Sequence, residues 1–192
     1  YWVVIPAYKS ARFLGRTLGS LSAQTCTNWR AVIVDDGSPE DDTFAVAQRL
    51  AAADERVCAV RRENGGVAAA RNTGRDVALQ DPACAAVPFL DADDLLQPDA
   101  LETLAGMLER DGAAAAAHGL AMYVDGDDRP MNLGSGEAWG RRRCVPDGLR
   151  LRTLGLDEPT TFQSLVCVHG MSCPAVVLYR RSALEAVGAF DV

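Results

Sequence analysis

Three carboxylates follow a short apolar run in the stretch PFLDADDLLQPDAL, residues 88–101: Asp91, Asp93 and Asp94. Clustered anions repel one another, so this arrangement is costly unless a cation or several hydrogen-bond donors face it. Side chains two positions apart in an extended backbone point the same way, which predicts that Asp91 and Asp93 share a face where a strand ends. Two adjacent carboxylates suit a hard divalent cation such as Mg²⁺, whose other ligands are water and phosphate oxygens. The alternative is a solvated turn in which Asp94 or Asp99 caps the following helix.

A second acidic stretch, VDDGSPEDD, and three further features offer contacts for a ligand. Either Asp36-Gly37-Ser38 forms a turn that caps the next helix, or one aspartate of this stretch accepts hydrogen bonds from a nucleobase imide or a ribose hydroxyl. Tyr8 is either a packing residue or a platform for a base. The run Asn64-Gly65-Gly66 predicts a loop with positive φ angles, and such glycines also let the backbone approach a ligand. Arg71 is either a surface residue or a contact to phosphate or base.

Four apolar runs alternate with four helix-length segments over the first hundred or so residues. The runs YWVVI, RAVIV, RVCAVRR and AAVPFL lack strict alternation, which is typical of strands buried on both faces of a parallel sheet. Helices are predicted over 11–25, 40–53, 66–79 and 98–110, the first with Ser10 as its N-cap. The pattern predicts an α/β fold with a doubly wound, mostly parallel sheet flanked by helices. Ligands of such sheets bind beyond the carboxyl ends of the strands, where the segments PAY, DDGS and DADD should meet.

The composition argues against several classes of protein. A formal net charge of −7 at pH 7 argues against a nucleic-acid partner, because such proteins normally carry a basic face. No apolar stretch reaches the length of a membrane span. The six cysteines show no C-x-x-C spacing, and neither His118 nor His169 completes a zinc pattern. We therefore predict free thiols and a location in the cytoplasm, including the inner face of the membrane. One lysine among nineteen basic residues indicates a bacterial genome rich in GC.

A series of motifs in a fixed order carries a resemblance to a known family. VVIPAY, SLSAQT, AVIVDDGSPEDD, RRENGGVAAARNTG and VPFLDADDLLQPDAL follow one another as in the family 2 inverting glycosyltransferases, which have the glycosyltransferase A fold. YRRSALEAVGAFD resembles that family's usual continuation, and the likeness covers residues 3–124 and 174–191. It implies transfer of a sugar, with inversion, from a nucleotide-diphosphate donor to a saccharide, lipid-linked or protein hydroxyl. A UDP-sugar is the favoured donor and bacterial polysaccharide biosynthesis the expected setting.

The resemblance also implies roles for residues at matching positions. Asp36 would hold the base, and Asp93 would be the main ligand of Mn²⁺ or Mg²⁺, with Asp91 beside it. Lys9 departs from the family, which usually has Asn there. The remaining nucleotide contacts would be Pro6, Ala7 and Tyr8 around base and ribose, Asp35 in support of Asp36, Gly66 and Arg71 beside the nucleotide, and Asp91 at the ribose.

The catalytic base is expected beyond Val192, because the family's acidic pair usually follows the G-x-F-D stretch that ends here at Asp191. Asp191 is the candidate within the chain, and His169 is an ionisable alternative to which nothing carries over. We interpret 1–192 as one domain trimmed at both ends, with 1–112 as the nucleotide-binding half and 113–192 as the acceptor-side half. Within the latter, 125–173 is predicted to form a mobile lid, with Trp139 either on the acceptor side or in simple packing.

Two other functions compete with this interpretation. A non-catalytic nucleotide-sugar-binding domain would keep the same pocket and lack the base. A sugar-nucleotide pyrophosphorylase would share the sheet, but it normally has a Gly-rich loop with Arg and Lys after the first strand to hold a triphosphate. The stretch IPAYKS lacks such a loop, which disfavours this second alternative.

Overall fold

A computed structural model describes residues 1–39, 42–125, 129, 131, 144–147, 150–153 and 177–192. The chain forms two compact units, one of Tyr1–Ala117 with Val177–Val192 and one of His118–Val176. This division places 113–117 and 177–192 with the first unit rather than in a separate second half. Trp139, His169 and most of the lid predicted over 125–173 lie outside the described residues.

In the second unit, the structure describes a short antiparallel pair of strands. β6 (Cys144–Asp147) pairs with β7 (Arg150–Thr153). The first unit contains the elements that position the candidate site, and their order follows the alternation of strand and helix expected from the sequence. They are β1 (Trp2–Ala7), α1 (Ala11–Ser22), β2 (Arg30–Asp35), α2 (Thr43–Ala53), β3 (Val57–Arg61), α3 (Gly66–Gln80), β4 (Ala86–Pro88), α4 (Ala100–Arg110), β5 (Ala116–His118), β8 (Val177–Arg180) and α5 (Arg181–Val187).

The sheet of the first unit is mostly parallel. β1, β2 and β3 pair in parallel, with Val4 opposite Val32 and Val32 opposite Cys58. Just past the end of β4, a parallel bridge joins Phe89 to Val4 and continues the sheet on the other side of β1. β8 then pairs with β4 in the antiparallel sense and lies between β4 and β5. The predicted α/β class with a mostly parallel, helix-flanked sheet is confirmed.

The middle of each central strand is apolar because both of its faces are covered. Val3, Val4 and Ile5 of β1 are at most 1% exposed, as expected of a strand with helices on either side. α3 packs so closely on β1 that a Cβ at Gly74 would collide with the side chain of Val4. The sequence of the strands therefore sets the layer order, and a glycine sets the spacing between α3 and β1.

Two local expectations receive different outcomes. Ser10 precedes α1 as predicted, but its hydroxyl donates to the carbonyl oxygen of Tyr8 at 2.9 Å and makes no capping bond to the helix. Cys26, Cys58 and Cys84 are free, and burial raises the pKa of the Cys58 and Cys84 thiols, so both stay protonated at neutral pH. Within the described parts of the chain, no helix is both long and apolar enough to cross a bilayer.

The spacing between α3 and β1 predicts opposite effects for two glycine-to-alanine changes. Gly74→Ala should lower the free energy of unfolding by about 1–3 kcal/mol, because the new methyl group overpacks the contact with Val4. Gly15→Ala is the matched control: Gly15 is exposed on α1 and a Cβ there meets nothing within 4 Å, so stability should rise by roughly 0.5–1 kcal/mol. Urea unfolding of both variants measures the difference, and a neutral Gly74→Ala would contradict the packing argument.

Candidate active site

A pocket of about 370 Å³ opens at the carboxyl ends of β1 and β2. Parallel strands end at the same edge of the sheet, so residues far apart in the sequence meet there. Five of the residues predicted to contact a nucleotide line this pocket: Pro6, Ala7, Tyr8, Asp36 and Gly66. Two further lining residues, Asn64 and Val67, were not predicted, although Asn64 lies in the loop that the sequence analysis singled out.

Asp36 is the buried acid of this pocket, with only 3% of its surface exposed. Its Oδ1 accepts a hydrogen bond from Arg62 Nη1, with which it also forms an ion pair, and its Oδ2 accepts one from the backbone N–H of Gly66 at 2.8 Å. The N–H of Gly65 lies 3.2 Å from Oδ1. Because Gly66 is the first residue of α3, the carboxylate also faces the positive end of a helix. One cation and two backbone donors thus compensate the buried charge.

The backbone of Asp36 ties the same region together. Its N–H donates to the carbonyl oxygen of Ala7 at 2.9 Å, and its own carbonyl accepts from Asn64 Nδ2 at 2.8 Å. The loops approach this closely because Gly37 has no side chain: a Cβ there would lie 2.7 Å from the backbone nitrogen of Asn64, and its φ of +67° suits glycine. Asp36 therefore links β1, β2 and the loop before α3.

Asp35 lies behind the pocket and does not line it. Its carboxylate is fully buried, and Oδ1 accepts hydrogen bonds from the N–H and hydroxyl of Ser38 at 3.1 and 2.6 Å. Arg61 Nε lies 3.2 Å from Oδ2, an ion pair without hydrogen-bond geometry. The Ser38 hydroxyl in turn accepts from the N–H of Lys9 at 2.9 Å. Asp35 thus braces the backbone beside Tyr8.

Tyr8 stands at the rim of the pocket, and 46% of its surface is exposed. The ammonium of Lys9 lies 5.5 Å from the centre of its ring. A ring exposed to this degree is not serving mainly as core packing. The exposed ring could serve as a platform for a base, and this role stays a prediction.

Arg71 and Asp91 form an ion pair outside the pocket lining, with Arg71 Nη2 2.8 Å from Asp91 Oδ1. The Arg71 side chain is only 15% exposed, so it is not a free surface residue. Its Nε is buried and has no hydrogen-bond partner among the described residues. Helix α3 thus carries both the Gly66 N–H, which binds Asp36, and the Arg71 guanidinium, which neutralises Asp91.

The backbone after β4 differs from the sequence-based expectation. The strand ends at Pro88, and the N–H of Asp94 donates to the carbonyl oxygen of Asp91 at 3.0 Å, which closes a turn. The argument that an extended backbone places Asp91 and Asp93 on one face is therefore wrong, because the intervening peptide bonds are in a turn. Asp93 is exposed and makes no hydrogen bond or ion pair with any described residue.

Asp91 and Asp93 are the candidate ligands for a divalent cation in this turn. Among the described residues, no group of three or more His, Cys, Asp or Glu side chains is placed to hold a metal ion. Asp93 nevertheless offers carboxylate oxygens free of protein partners, and Asp91 offers the oxygen that Arg71 does not occupy. Mg²⁺ and similar ions often use one or two carboxylates and complete their shell with water and phosphate. The donor type fits a cation that arrives with a phosphate-bearing ligand.

Comparison with known proteins identifies a family. The model of the family described as "Glycosyl transferase family 2" matches residues 2–188. A glycosyltransferase of Nostoc sp. is 31% identical over 133 residues, which cover 69% of this chain and 40% of that protein. The succinoglycan biosynthesis protein ExoW of Rhizobium meliloti is 41% identical over 103 residues, 52% of this chain and 31% of that protein. The chain spans less than half the length of these relatives.

Solved structures share the fold. TarS 1–349 of S. aureus in complex with UDP-GlcNAc superposes with a TM-score of 0.63 at 20% identity, over 97% of this chain and 46% of that one. A mannosyltransferase of Pyrobaculum calidifontis in complex with GDP-Man and Mn²⁺ superposes with a TM-score of 0.62 at 19% identity, over 99% of this chain and 47% of that one. At these identities the likeness supports the glycosyltransferase A fold predicted from the sequence.

The contacts of Asp36 predict a large effect of removing its cation. Arg62→Met should lower the free energy of unfolding by about 1–3 kcal/mol, because a carboxylate that is 3% exposed loses its charged donor. Glu185→Gln, which breaks the half-exposed pair with Arg181 on α5, should cost only roughly 0.2–0.5 kcal/mol. Chemical denaturation compares the two variants. Equal, small losses would show that Arg62 contributes no more than a surface cation.

Proposed function

Because the chain belongs to glycosyl transferase family 2, we propose that it transfers a sugar, with inversion, from a nucleoside-diphosphate donor to an acceptor hydroxyl. The observation that carries the proposal is the pocket at the ends of β1 and β2, which is lined both by Asp36, a buried carboxylate, and by Tyr8, an exposed aromatic residue. Family membership supports a glycosyltransferase over the two alternatives, a purely binding domain and a pyrophosphorylase. The donor, the stereochemistry, the metal and the site roles below are parts of the proposal.

The pocket suits a nucleoside. Its volume of about 370 Å³ falls within the range of roughly 300–1,000 Å³ that is usual for small-ligand sites. We assign the base to the space between Tyr8, whose ring can stack on it, and Asp36, whose carboxylate can accept an imide N–H. The remainder of the pocket is lined by Pro6, Ala7, Asn64, Gly66 and Val67. A UDP-sugar is the first donor to test and a GDP-sugar the second, since structural neighbours were solved with UDP-GlcNAc and with GDP-Man.

The turn after β4 is assigned to the diphosphate. Asp93 is proposed as the main ligand of Mn²⁺ or Mg²⁺, with Asp91 as the second ligand and the ribose contact. When bound, such an ion would neutralise the negative charge that develops on the departing diphosphate. The Arg71 guanidinium lies 2.8 Å from Asp91 and adds a positive charge at this edge of the sheet. This charge makes the site more favourable for an anionic ligand than the acidic residues would be without it.

The reaction requires removal of one proton. The acceptor oxygen forms a bond to the anomeric carbon while a carboxylate takes the hydroxyl proton, and the bond from that carbon to the diphosphate oxygen breaks. The electron pair of that bond leaves with the nucleoside diphosphate. We expect this carboxylate among acidic residues after Val192, and Asp191, which is exposed near the end of the described C-terminal segment, is the second candidate.

The acceptor and the setting are proposed at a coarser level. We assign the acceptor side to the unit His118–Val176 and the nucleotide side to the first unit. A saccharide acceptor in polysaccharide biosynthesis is supported by ExoW, whose name refers to succinoglycan biosynthesis, and a lipid-linked or protein acceptor would react in the same way. The free thiols Cys26, Cys58 and Cys84 support a cytoplasmic location.

The proposed metal site predicts that UDP binding depends on a divalent cation. UDP should bind the protein much more tightly with Mn²⁺ than with a chelator, because Asp91 and Asp93 otherwise repel the diphosphate. Asp93→Ala should remove this difference without lowering the melting temperature, since the exposed side chain has no protein partner to lose. Asp99→Ala, an exposed acid nearby whose side chain makes no capping bond, should keep it. Titration calorimetry decides, and equal affinity in EDTA and Mn²⁺ would overturn the metal assignment.

The proposed stacking of the nucleobase on Tyr8 predicts that UDP binding depends on this ring. Tyr8→Ala should weaken UDP binding by about 1–3 kcal/mol, the usual contribution of one aromatic–base stack, and leave stability nearly unchanged because the ring is exposed. Tyr8→Phe retains the ring and should bind like the wild type. If both variants bind UDP as the wild type does, the base does not lie on this ring. Calorimetry in the presence of Mn²⁺ measures all three proteins under one condition.

A further inference from the structure

Asn72 and Phe190 are joined by a reciprocal pair of hydrogen bonds. Asn72 Nδ2 donates to the carbonyl oxygen of Phe190 at 2.9 Å, and the N–H of Phe190 donates to Asn72 Oδ1 at 2.8 Å. One side-chain amide thus satisfies both backbone groups of a residue that belongs to no helix or strand. The Phe190 ring adds an edge-on contact with Phe89, with centroids 5.1 Å apart. Backbone and side chain of Phe190 are therefore both fixed, at a point 118 residues from Asn72.

This contact lies next to the ion pair assigned to the donor side. Asn72 follows Arg71 on α3, and Arg71 holds Asp91 at 2.8 Å. Phe89, which Phe190 touches, lies two residues before Asp91 on the same stretch of backbone. Neighbouring residues of one helical turn thus fix the turn after β4 and the C-terminal segment. The exposed Asp191 follows directly after Phe190 in the chain.

The C-terminal segment is attached to α3 by other contacts far from this edge. Arg181 donates to the carbonyl oxygens of Leu79 and Asp81 at 2.8 and 2.7 Å. Asp81 also accepts a hydrogen bond from Trp2, the first residue of β1, so this end of α3 lies at the opposite edge of the sheet. These contacts would therefore keep α5 packed on α3 without Asn72. The two hydrogen bonds of Asn72 instead fix the path of the backbone at Phe190.

We propose that Asn72 is a positioning residue for the transfer reaction, which fixes the backbone at Phe190 and so aims Asp191 and the residues after it at the donor. The inference rests on the proposed function, because it concerns the group that removes the acceptor proton. A misplacement of about 1 Å at a reacting group can lower the rate roughly 100-fold, so a clamp of two hydrogen bonds at this point matters for catalysis more than for folding. Donor binding, which uses Tyr8, Asp36, Asp91 and Asp93, does not depend on this clamp, because none of these side chains is hydrogen-bonded to Asn72.

The test uses the full-length protein and the hydrolysis of UDP-glucose, UDP-GlcNAc, UDP-galactose and GDP-mannose with Mn²⁺, with water as the acceptor. Asn72→Leu keeps the side-chain size and removes both hydrogen bonds. It should speed hydrogen exchange at the Phe190 amide and lower kcat by about 10- to 100-fold, with UDP affinity unchanged. Asn72→Asp retains the acceptor for the Phe190 N–H and should lose less, and it replaces the leucine variant if that one does not fold.

Arg181→Met is the matched control, because it removes hydrogen bonds between the same two segments, α3 and the C-terminal segment, at the opposite edge of the sheet. It should lower the melting temperature and leave kcat unchanged. The inference is overturned if the Phe190 amide stays protected in the Asn72 variants, if it is released without a fall in kcat, or if Arg181→Met loses kcat to the same extent. A wild-type protein that binds UDP and hydrolyses none of the four donors would overturn the proposed function, and the catalytic role of Asn72 with it.

Discussion

The structure of the pocket depends on one constraint: a carboxylate that is nearly excluded from water must be surrounded by donors. Asp36 meets this constraint with the Arg62 guanidinium and the N–H groups of Gly65 and Gly66. Each of those donors lies after β3, whereas Asp36 directly follows β2. The requirement to compensate one charge therefore holds the loop before α3 against the end of the neighbouring strand, and the space left beside it is the pocket.

Helix α3 carries this constraint across the sheet. Its first residue, Gly66, donates to Asp36, and its second turn presents Arg71 to Asp91 and Asn72 to Phe190. Gly74 then allows the helix to lie directly on β1. A helix in such close contact with the strand it covers has little freedom to shift, since packed interiors deform poorly. The residues proposed to contact the nucleobase, the diphosphate and the acceptor proton are thus all positioned by contacts with one rigid helix.

The electrostatics of the site divide into two kinds of acid. Asp35 and Asp36 are buried and already matched by donors, so they act as fixed parts of the scaffold that present oxygen atoms in a set direction. Asp93 is exposed and unmatched among the described residues, and Asp91 is matched by a single cation. An anionic ligand therefore approaches only when positive charge accompanies it, which is the physical basis for proposing a cation-bridged diphosphate rather than direct binding to the protein.

The sequence by itself determined the alternation of strands and helices, the mostly parallel sheet and the strand ends at which Tyr8, Asp36 and Asp93 lie, because apolar runs and helical spacing are local properties of the chain. Its motif order also led to the right family, since several motifs in series are specific where each alone is weak. Only the tertiary structure decided that residues 91–94 form a turn, that Ser10 does not cap α1 through its side chain, and that Arg62 and Asn72 are the partners of Asp36 and Phe190. The last two contacts join groups that are 26 and 118 residues apart in the chain, and no local pattern encodes which distant donor a buried acceptor will meet.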